Sequence, residues 1–409
     1  MKKRAFIKTM MTTLTCVLLS TSVTTACSDD DNTPTKKTPT PTTNGASMIS
    51  DPAKLDMIYS LVDLEGDKGR IYEMNYTVDY KLDDAINFGI DGQVKLQQFV
   101  GAYLMDAKGK SMSLAYDAGC SAFAAPDKST GNYLMGRNFD FNHWGKDSKR
   151  IDIPVIVVHT APKGGKKSVS FVDGYFVFYK KGFYTDGESD LSMLMAAPYL
   201  LLDGINEDGF AISVLKLDGK PTRQTDSSKK TVFTTVAMRM LLDRVSTVKE
   251  ATDMLKQYNM CMDTDTASYH FFMADATGDY AIVEYTGKDV NIKNPTNMET
   301  LWHNDTLRYV TNFYVSPTML NTEFGGDSHH GRQRYNNLKE GLRKYNYNVT
   351  SSQALELLKL VSQGPDGPDQ SSTGFTQWSE VYNLTKRRLT LNLTREWDKT
   401  FEFGIEEYH

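Results

Sequence analysis

Past residue 120 the chain reads as a series of short strand-like runs, and only two segments carry a helical spacing of apolar side chains. The runs are 121–125, 133–136, 154–159, 168–179, 210–217, 281–285, 378–384 and 389–393. The helices are 234–245, with Val236, Met240, Leu241 and Val245 on one face, and 352–360, with Leu355, Leu357, Leu358 and Leu360. A chain that strings strands, a helix pair and more strands must bury sheet faces against each other and against helices, so the pattern predicts an α+β, layered αββα domain. Hydrophobic residues at 40% and aromatics at 11% supply enough apolar surface for that core. A net charge of −5 shows no basic excess of the kind nucleic-acid binders carry, and four cysteines in 409 residues exclude a disulfide scaffold.

Residues 1–26 are a targeting segment. Lys2, Lys3, Arg4 and Lys8 precede a short apolar run, 10–23, that is too short to span a bilayer permanently. The run ends Val23-Thr24-Thr25-Ala26-Cys27, which resembles a bacterial lipoprotein signal with Cys27 as the lipidated new N-terminus. Thr24 stands where a leucine is usual, and ordinary secretory cleavage near Ala26 is the competing reading. Ser28-Asp29-Asp30-Asp31 resembles the acidic export tag of surface lipoproteins, so an outer-membrane or cell-surface location is expected, with periplasmic or secreted as the alternative. Residues 27–46 are a Thr/Pro-rich tether without apolar periodicity. Residues 47–119 form a first globular segment. It has a helix opened by Asp51-Pro52, short helices at 82–86 and 94–104, and a strand at 111–116.

Cys120 heads a strand directly after Gly119. The turn Asp127-Lys128-Ser129-Thr130-Gly131 returns the chain through Met135-Gly136-Arg137-Asn138-Phe139-Asp140. Antiparallel pairing across that turn brings Arg137 and Asp140 back beside Cys120. A thiol acts as a nucleophile through its thiolate, which a guanidinium favours. Cys261 reads as a small buried thiol. The histidines at 143, 159, 270, 303, 329 and 330 are scattered, and neither a His-x-Glu nor a Cys-x-x-Cys spacing is present, so neither metal nor cofactor is expected.

A cysteine heading a strand and followed by Gly-Arg-Asn-x-Asp resembles the choloylglycine hydrolase family of linear amide C–N hydrolases: bile salt hydrolases, penicillin V acylases and acid ceramidase-type enzymes. The resemblance continues in order through Leu202-Asp203-Gly204-Ile205-Asn206-Glu207, Tyr269-His270-Phe271, Thr311-Asn312, Arg334-Tyr335 and Thr376-Gln377-Trp378-Ser379-Glu380-Val381-Tyr382. It implies the N-terminal nucleophile fold, two stacked antiparallel sheets between helical layers. It also implies cleavage between Gly119 and Cys120, with 47–119 kept as a small subunit on the catalytic domain 120–409. Cys120 would then be the nucleophile and its α-amine the base. Asp140 would hold that amine, Arg137 support the thiolate, Asn312 bind the oxyanion and Arg334 complete the polar ring, with Arg332 as the competing assignment.

Lys216 stands where bile salt hydrolases often place an asparagine, which puts bile-salt specificity in doubt. It reads as a surface lysine or as a cation for an acidic substrate end. The expected substrate is a small N-acyl amide with an apolar acyl part, and 171–179 with Phe183-Tyr184 are candidate pocket walls. An acyltransferase on the same fold and a surface binding lipoprotein are the alternatives. A homo-oligomer is left open, and 365–368 is a lid or a connector.

Overall fold

The computed structural model describes residues 46–66, 68–106, 118–143, 150, 152–178, 191–262, 267–287, 297–302, 308–320, 330–364 and 374–407. The expected features at 1–45, 111–116, Phe183-Tyr184 and 365–368 lie outside the described residues.

The first segment contributes helix α1 (Pro52–Tyr59), strands β1 (Val62–Asp63) and β2 (Ile71–Tyr76), and helices α2 (Leu82–Phe88) and α3 (Gln93–Phe99). The last continues into one π turn over Val100–Leu104. Asp51 caps α1 by accepting from Ala53 N at 2.9 Å, with Pro52 at the first helical position, as its sequence predicts. The hairpin that places Cys120 follows: β3 (Ala118–Asp127) and β4 (Asn132–Phe141) pair antiparallel. Asp127 closes the turn by accepting from Ser129 N at 2.9 Å.

Then come β5 (Val155–Thr160), β6 (Ser168–Asp173), the helical turn α4 (Gly174–Phe178) and a 3₁₀ segment over Leu191–Tyr199. The run 168–179 is therefore a strand only as far as Asp173. Its carboxylate accepts from Tyr175 N at 2.9 Å, and that cap turns the chain into a helix. Phe171 packs on Phe403 in the core, ring centroids 6.1 Å apart, instead of lining a pocket. The remaining elements are β7 (Asp203–Asn206), β8 (Ala211–Asp218), β9 (Lys230–Phe233), α5 (Thr234–Arg244), α6 (Val248–Leu255), β10 (Tyr258–Cys261), β11 (Ala267–Ala274), β12 (Tyr280–Thr286), β13 (Asn297–Trp302), β14 (Tyr309–Val310), α7 (Pro317–Leu320), α8 (Gly331–Lys344), α9 (Ser351–Leu360), β15 (Thr376–Asn383), β16 (Arg388–Leu393) and β17 (Phe401–Gly404).

Among the described residues the strands form a nine-stranded sheet, β1-β2-β5-β6-β7-β8-β11-β12-β13, and a six-stranded sheet, β14-β3-β4-β15-β16-β17. A parallel pair, β9–β10, stands apart. The two large sheets pack face to face, β3 against β8 and β11, while α5 and α6 cover the outer face of the larger sheet and α8 and α9 that of the smaller. This is the expected αββα layering. The central strands, such as β5, β6 and β12, are buried on both faces, which explains why they read as apolar runs without alternation.

The first segment is woven into the larger sheet. β2 pairs parallel with β5, from Ile71 opposite Val155 to Tyr76 opposite Thr160. Ile58, Leu96, Phe99, Val100 and Leu104 are buried as their spacing suggests, whereas Tyr103 is 43% exposed. Tyr76 donates to the Met195 carbonyl at 2.9 Å and Tyr80 to Asp243 at 2.6 Å. At the sheet edge Arg70 bridges Glu65 (2.6 Å) and Glu396 (2.5 Å), and Lys399 also pairs with Glu65.

The Arg70 hydrogen bond holds the Glu65 carboxyl down at about 2, against burial, which pushes it up. A depressed carboxyl stabilises the fold above its unfolded value of about 4.5, and that contribution is lost as pH falls through about 2. Glu65→Gln should therefore cost on the order of 1–2 kcal/mol at neutral pH, because solvent partly screens the pairs. Urea unfolding should show the gap from wild type narrowing as pH drops below 4.5; a gap independent of pH would refute this role.

Candidate active site

The pairing register decides which face each residue of the hairpin takes. Cys120 stands opposite Phe139 and Ala122 opposite Arg137, so the thiol and the guanidinium share the face turned to the nine-stranded sheet. Gly119 stands opposite Asp140 and Ser121 opposite Asn138, on the face turned to α8 and α9. Asn138 is fixed there by donating to the Leu358 carbonyl (2.9 Å) and accepting from Ser379 (2.7 Å). Arg137 and Asp140 are three residues apart on one strand, so they reach Cys120 from opposite sides of the sheet.

On the inner side Arg137 shares the face of the Cys120 thiol, close enough for its charge to act on the sulfur, and donates to Asp203 of β7 at 3.1 Å and to the Val214 carbonyl of β8 at 3.1 Å. On the helix side Arg334 of α8 gathers three acceptors. These are the Cys120 carbonyl at 2.8 Å, Asp140 Oδ2 at 3.3 Å and Asn312 Oδ1 at 2.5 Å. Thr376 donates to Asp140 Oδ1 at 2.6 Å and in turn accepts from Gln363 N at 2.8 Å. All five predicted residues, Cys120, Arg137, Asp140, Asn312 and Arg334, are thus brought together and buried. Arg332 is exposed and stacks over Phe313, 4.6 Å from the ring centroid, so of the two arginines it is Arg334 that enters the cluster.

Asn312 meets Cys120 in a specific sense. Its Oδ1 accepts from Cys120 N at 2.5 Å as well as from Arg334, while its Nδ2 donates to the Lys216 carbonyl at 2.8 Å. Two obligate donors at one oxygen fix the amide orientation. In the intact chain Asn312 therefore offers an acceptor to the nitrogen that cleavage would free, while Asp140 answers to Thr376 and Arg334. Lys216 takes part through its backbone carbonyl; its ammonium stands 3.8 Å from Asp218.

Electrostatically, burial pushes the Cys120 thiol up, Arg137 draws it down and Asp140 pushes it up again. Burial also works against the charge of Arg137, but Cys120 and Asp203 outweigh it and leave the guanidinium firmly protonated. Gly119 fits the strand because a Cβ there would come 2.6 Å from Gln363 Nε2 and 3.3 Å from the Asp140 Cβ. Cys261 is buried in β10 and accepts from Arg223 at 3.8 Å, outside this cluster. Three of the four described histidines pair with carboxylates: His143 with Asp173 (2.8 Å), His159 with Glu73 (2.8 Å) and His270 with Glu284 (3.0 Å); the fourth, His330, is exposed at the start of α8. Among the described residues no group of three His, Cys, Asp or Glu side chains is placed to hold a metal ion.

Sequence reasoning gave no role to Asp203, Gln363, Thr376, Glu380 and Tyr382. The readable signal was an acidic residue inside an apolar strand, as at Asp203 and Glu380, which a buried sheet tolerates only with a partner.

Residues 173–397, more than half of the chain, match the family described as acyl-coenzyme A:6-aminopenicillanic acid acyl-transferase. The chain belongs to this family. The choloylglycine hydrolase-like resemblance read from the sequence is borne out with it. No curated protein matches the sequence. Among solved structures the chain is similar to an arginine-to-leucine variant of conjugated bile acid hydrolase from Clostridium perfringens. The two are 14% identical with a TM-score of 0.44, over 71% of this chain and 94% of that one. It is also similar to penicillin V acylase from Agrobacterium tumefaciens, at 17% identity and TM-score 0.45, over 70% and 86% of the two chains.

Arg334 pairs with Asp140 where both are fully buried, so removing it strands a buried carboxylate. Arg334→Met should cost about 3–5 kcal/mol, read by urea unfolding, and adding Asp140→Asn should recover a substantial part. A double variant no more stable than Arg334→Met would contradict the pairing.

Proposed function

We propose that the chain is a linear amide C–N hydrolase that forms an acyl-enzyme on Cys120 and matures by cleavage before that residue. The observation that carries the reading is the placement of Cys120: Arg137 at its thiol, Asn312 at its backbone nitrogen, Arg334 at its carbonyl.

In maturation the thiol adds to the Gly119 carbonyl. The peptide C–N bond breaks as the thioester forms, and the Cys120 nitrogen leaves as an amine. Water then splits the thioester into a Gly119 carboxylate and a free thiol. In turnover the α-amine, with an ordinary pKa of about 7.7–8.0, takes the thiol proton as sulfur attacks the substrate carbonyl. It returns that proton to the departing amine, and water releases the acid. Asn312 Oδ1 is placed to orient the α-amine, and Arg137 stabilises the thiolate.

The small segment 47–119 stays docked after cleavage. Its strand β2 is hydrogen-bonded along β5, and Ile58, Leu96, Phe99, Val100 and Leu104 are core. A lipid on Cys27 would then hold both pieces at the outer membrane or cell surface. The substrate is a small N-acyl amide with an apolar acyl group. Hydrolysis of conjugated bile acids and penicillin V is named for the two solved structures above. The family description favours a second fate for the acyl group, transfer to an amine.

The test has two parts. N-terminal sequencing of the purified protein should find Cys120, with residues 47–119 co-purifying in the membrane fraction. The mature protein should release acid from at least one of conjugated bile acids, penicillin V, N-acyl amino acids or N-acyl ethanolamines, and Cys120→Ala should abolish both cleavage and turnover. Uniform inactivity of a matured protein would refute the substrate class, and acylated amine in place of free acid would assign the transferase reading. A soluble large piece would refute the docking alone.

A further inference from the structure

Beneath Arg137 lie two buried carboxyl groups that the reaction above does not use. Asp203 of β7 and Glu380 of β15 are both fully buried, from opposite sheets. Glu380 is the cross-strand partner of Arg137 in the β4–β15 register. Arg137 Nε donates to Asp203 Oδ2 at 3.1 Å. The Tyr382 hydroxyl bridges the acids, 2.9 Å from Glu380 Oε2 and 3.3 Å from Asp203 Oδ1. That hydroxyl has one hydrogen to give. Glu380 Oε1 meets no donor among the described residues, and the two carboxyls, joined through Tyr382, lie close enough to act on each other's charge.

Two ionised carboxylates in this place would carry two negative charges against the single guanidinium, with one oxygen left without a donor. One proton resolves both difficulties, because a protonated Glu380 donates to Asp203 and the cluster balances Arg137 one to one.

We propose that Asp203 and Glu380 share one proton, and that this pair of fixed single negative charge positions Arg137 and sets how strongly it stabilises the Cys120 thiolate. The two acids are positioning residues, acting on sulfur through the guanidinium. The groups facing the pair are Arg137 from β4, Tyr382 from β15 and, beyond the guanidinium, Cys120 from β3. Burial and the Asp203 charge push Glu380 well up, in keeping with its carrying the proton. Burial also pushes Asp203 up, and Arg137 opposes it.

Shared protons give an unusual pattern of substitution effects. Glu380→Gln replaces a neutral donor by a neutral donor and leaves Asp203 charged. Asp203→Asn lets the remaining acid ionise, so one negative charge is again present. Only the double variant D203N/E380Q removes the charge. The bearing on catalysis rests on the reading of Cys120 as nucleophile, but the thiol can be titrated whether or not the protein turns over any amide.

The experiment follows thiolate ultraviolet absorbance against pH in the full-length protein, taking the difference from Cys120→Ala, for wild type, both single variants and the double. Circular dichroism checks that each is folded. The expected result is a midpoint within about 0.3 unit of wild type for each single variant and lower by about one unit or more for the double, roughly tenfold in thiolate stability. Two ionised acids would instead make each single variant lower the midpoint, with additive effects; that result overturns the proposal even if the double variant does not fold. An unshifted, folded double variant also overturns it. An inactive wild type with the expected titration pattern would count against the hydrolase reading and leave the shared proton standing.

Discussion

Arg334 is the tie on which the arrangement around Cys120 depends. One guanidinium joins the Cys120 carbonyl, the Asp140 carboxylate and the Asn312 side chain. Those groups come from β3, from β4 and from the segment after β14, while Arg334 itself rides on α8. A planar guanidinium holds its several donors in a fixed fork, so it can serve three acceptors that lie in different directions. Because the cluster is buried, each contact is electrostatically strong and each loss is costly. The helix layer on this side therefore does more than cover the sheet: it delivers the cation that orders the far side of the candidate nucleophile.

The inner face repeats the device with the roles reversed. There a sheet residue, Arg137, supplies the cation, and acids from both sheets balance it. Cys120 thus sits between two arginine-centred clusters, one in the gap between the sheets and one under the helices. The thiol faces only the first, and the backbone nitrogen and carbonyl face the second. In the mechanism proposed above this division would separate two tasks, with sulfur tuned from the inner side and the nitrogen and carbonyl of Cys120 oriented from the outer side.

The parts of this picture that were legible in sequence are the local ones. The β3–β4 hairpin follows from a turn any reader can find, and its register fixes Arg137 and Asp140 by counting. Asn312 and Arg334 were reachable only through resemblance, because they come from segments 192 and 214 residues away in sequence from Cys120. The parallel pairing of β2 with β5 left no signature, since such a pair is closed by distant chain and not by a turn. Asp203 and Glu380 were quoted inside motifs but could not be paired, because they come from different sheets and meet only when the layers stack. The helical turn at Gly174 was hidden by apolar residues that suit a strand equally well, and the Asp173 cap decided it.

The central claim is that Cys120, as a free N-terminus, carries the acyl group. The most direct measurement is peptide mass spectrometry after brief reaction of the purified protein with an N-acyl amide and acid quench. The account predicts the mass of the acyl group on a peptide that begins at Cys120. An acyl group on any other residue, or on a peptide that still contains Gly119 joined to Cys120 while product accumulates, would contradict it.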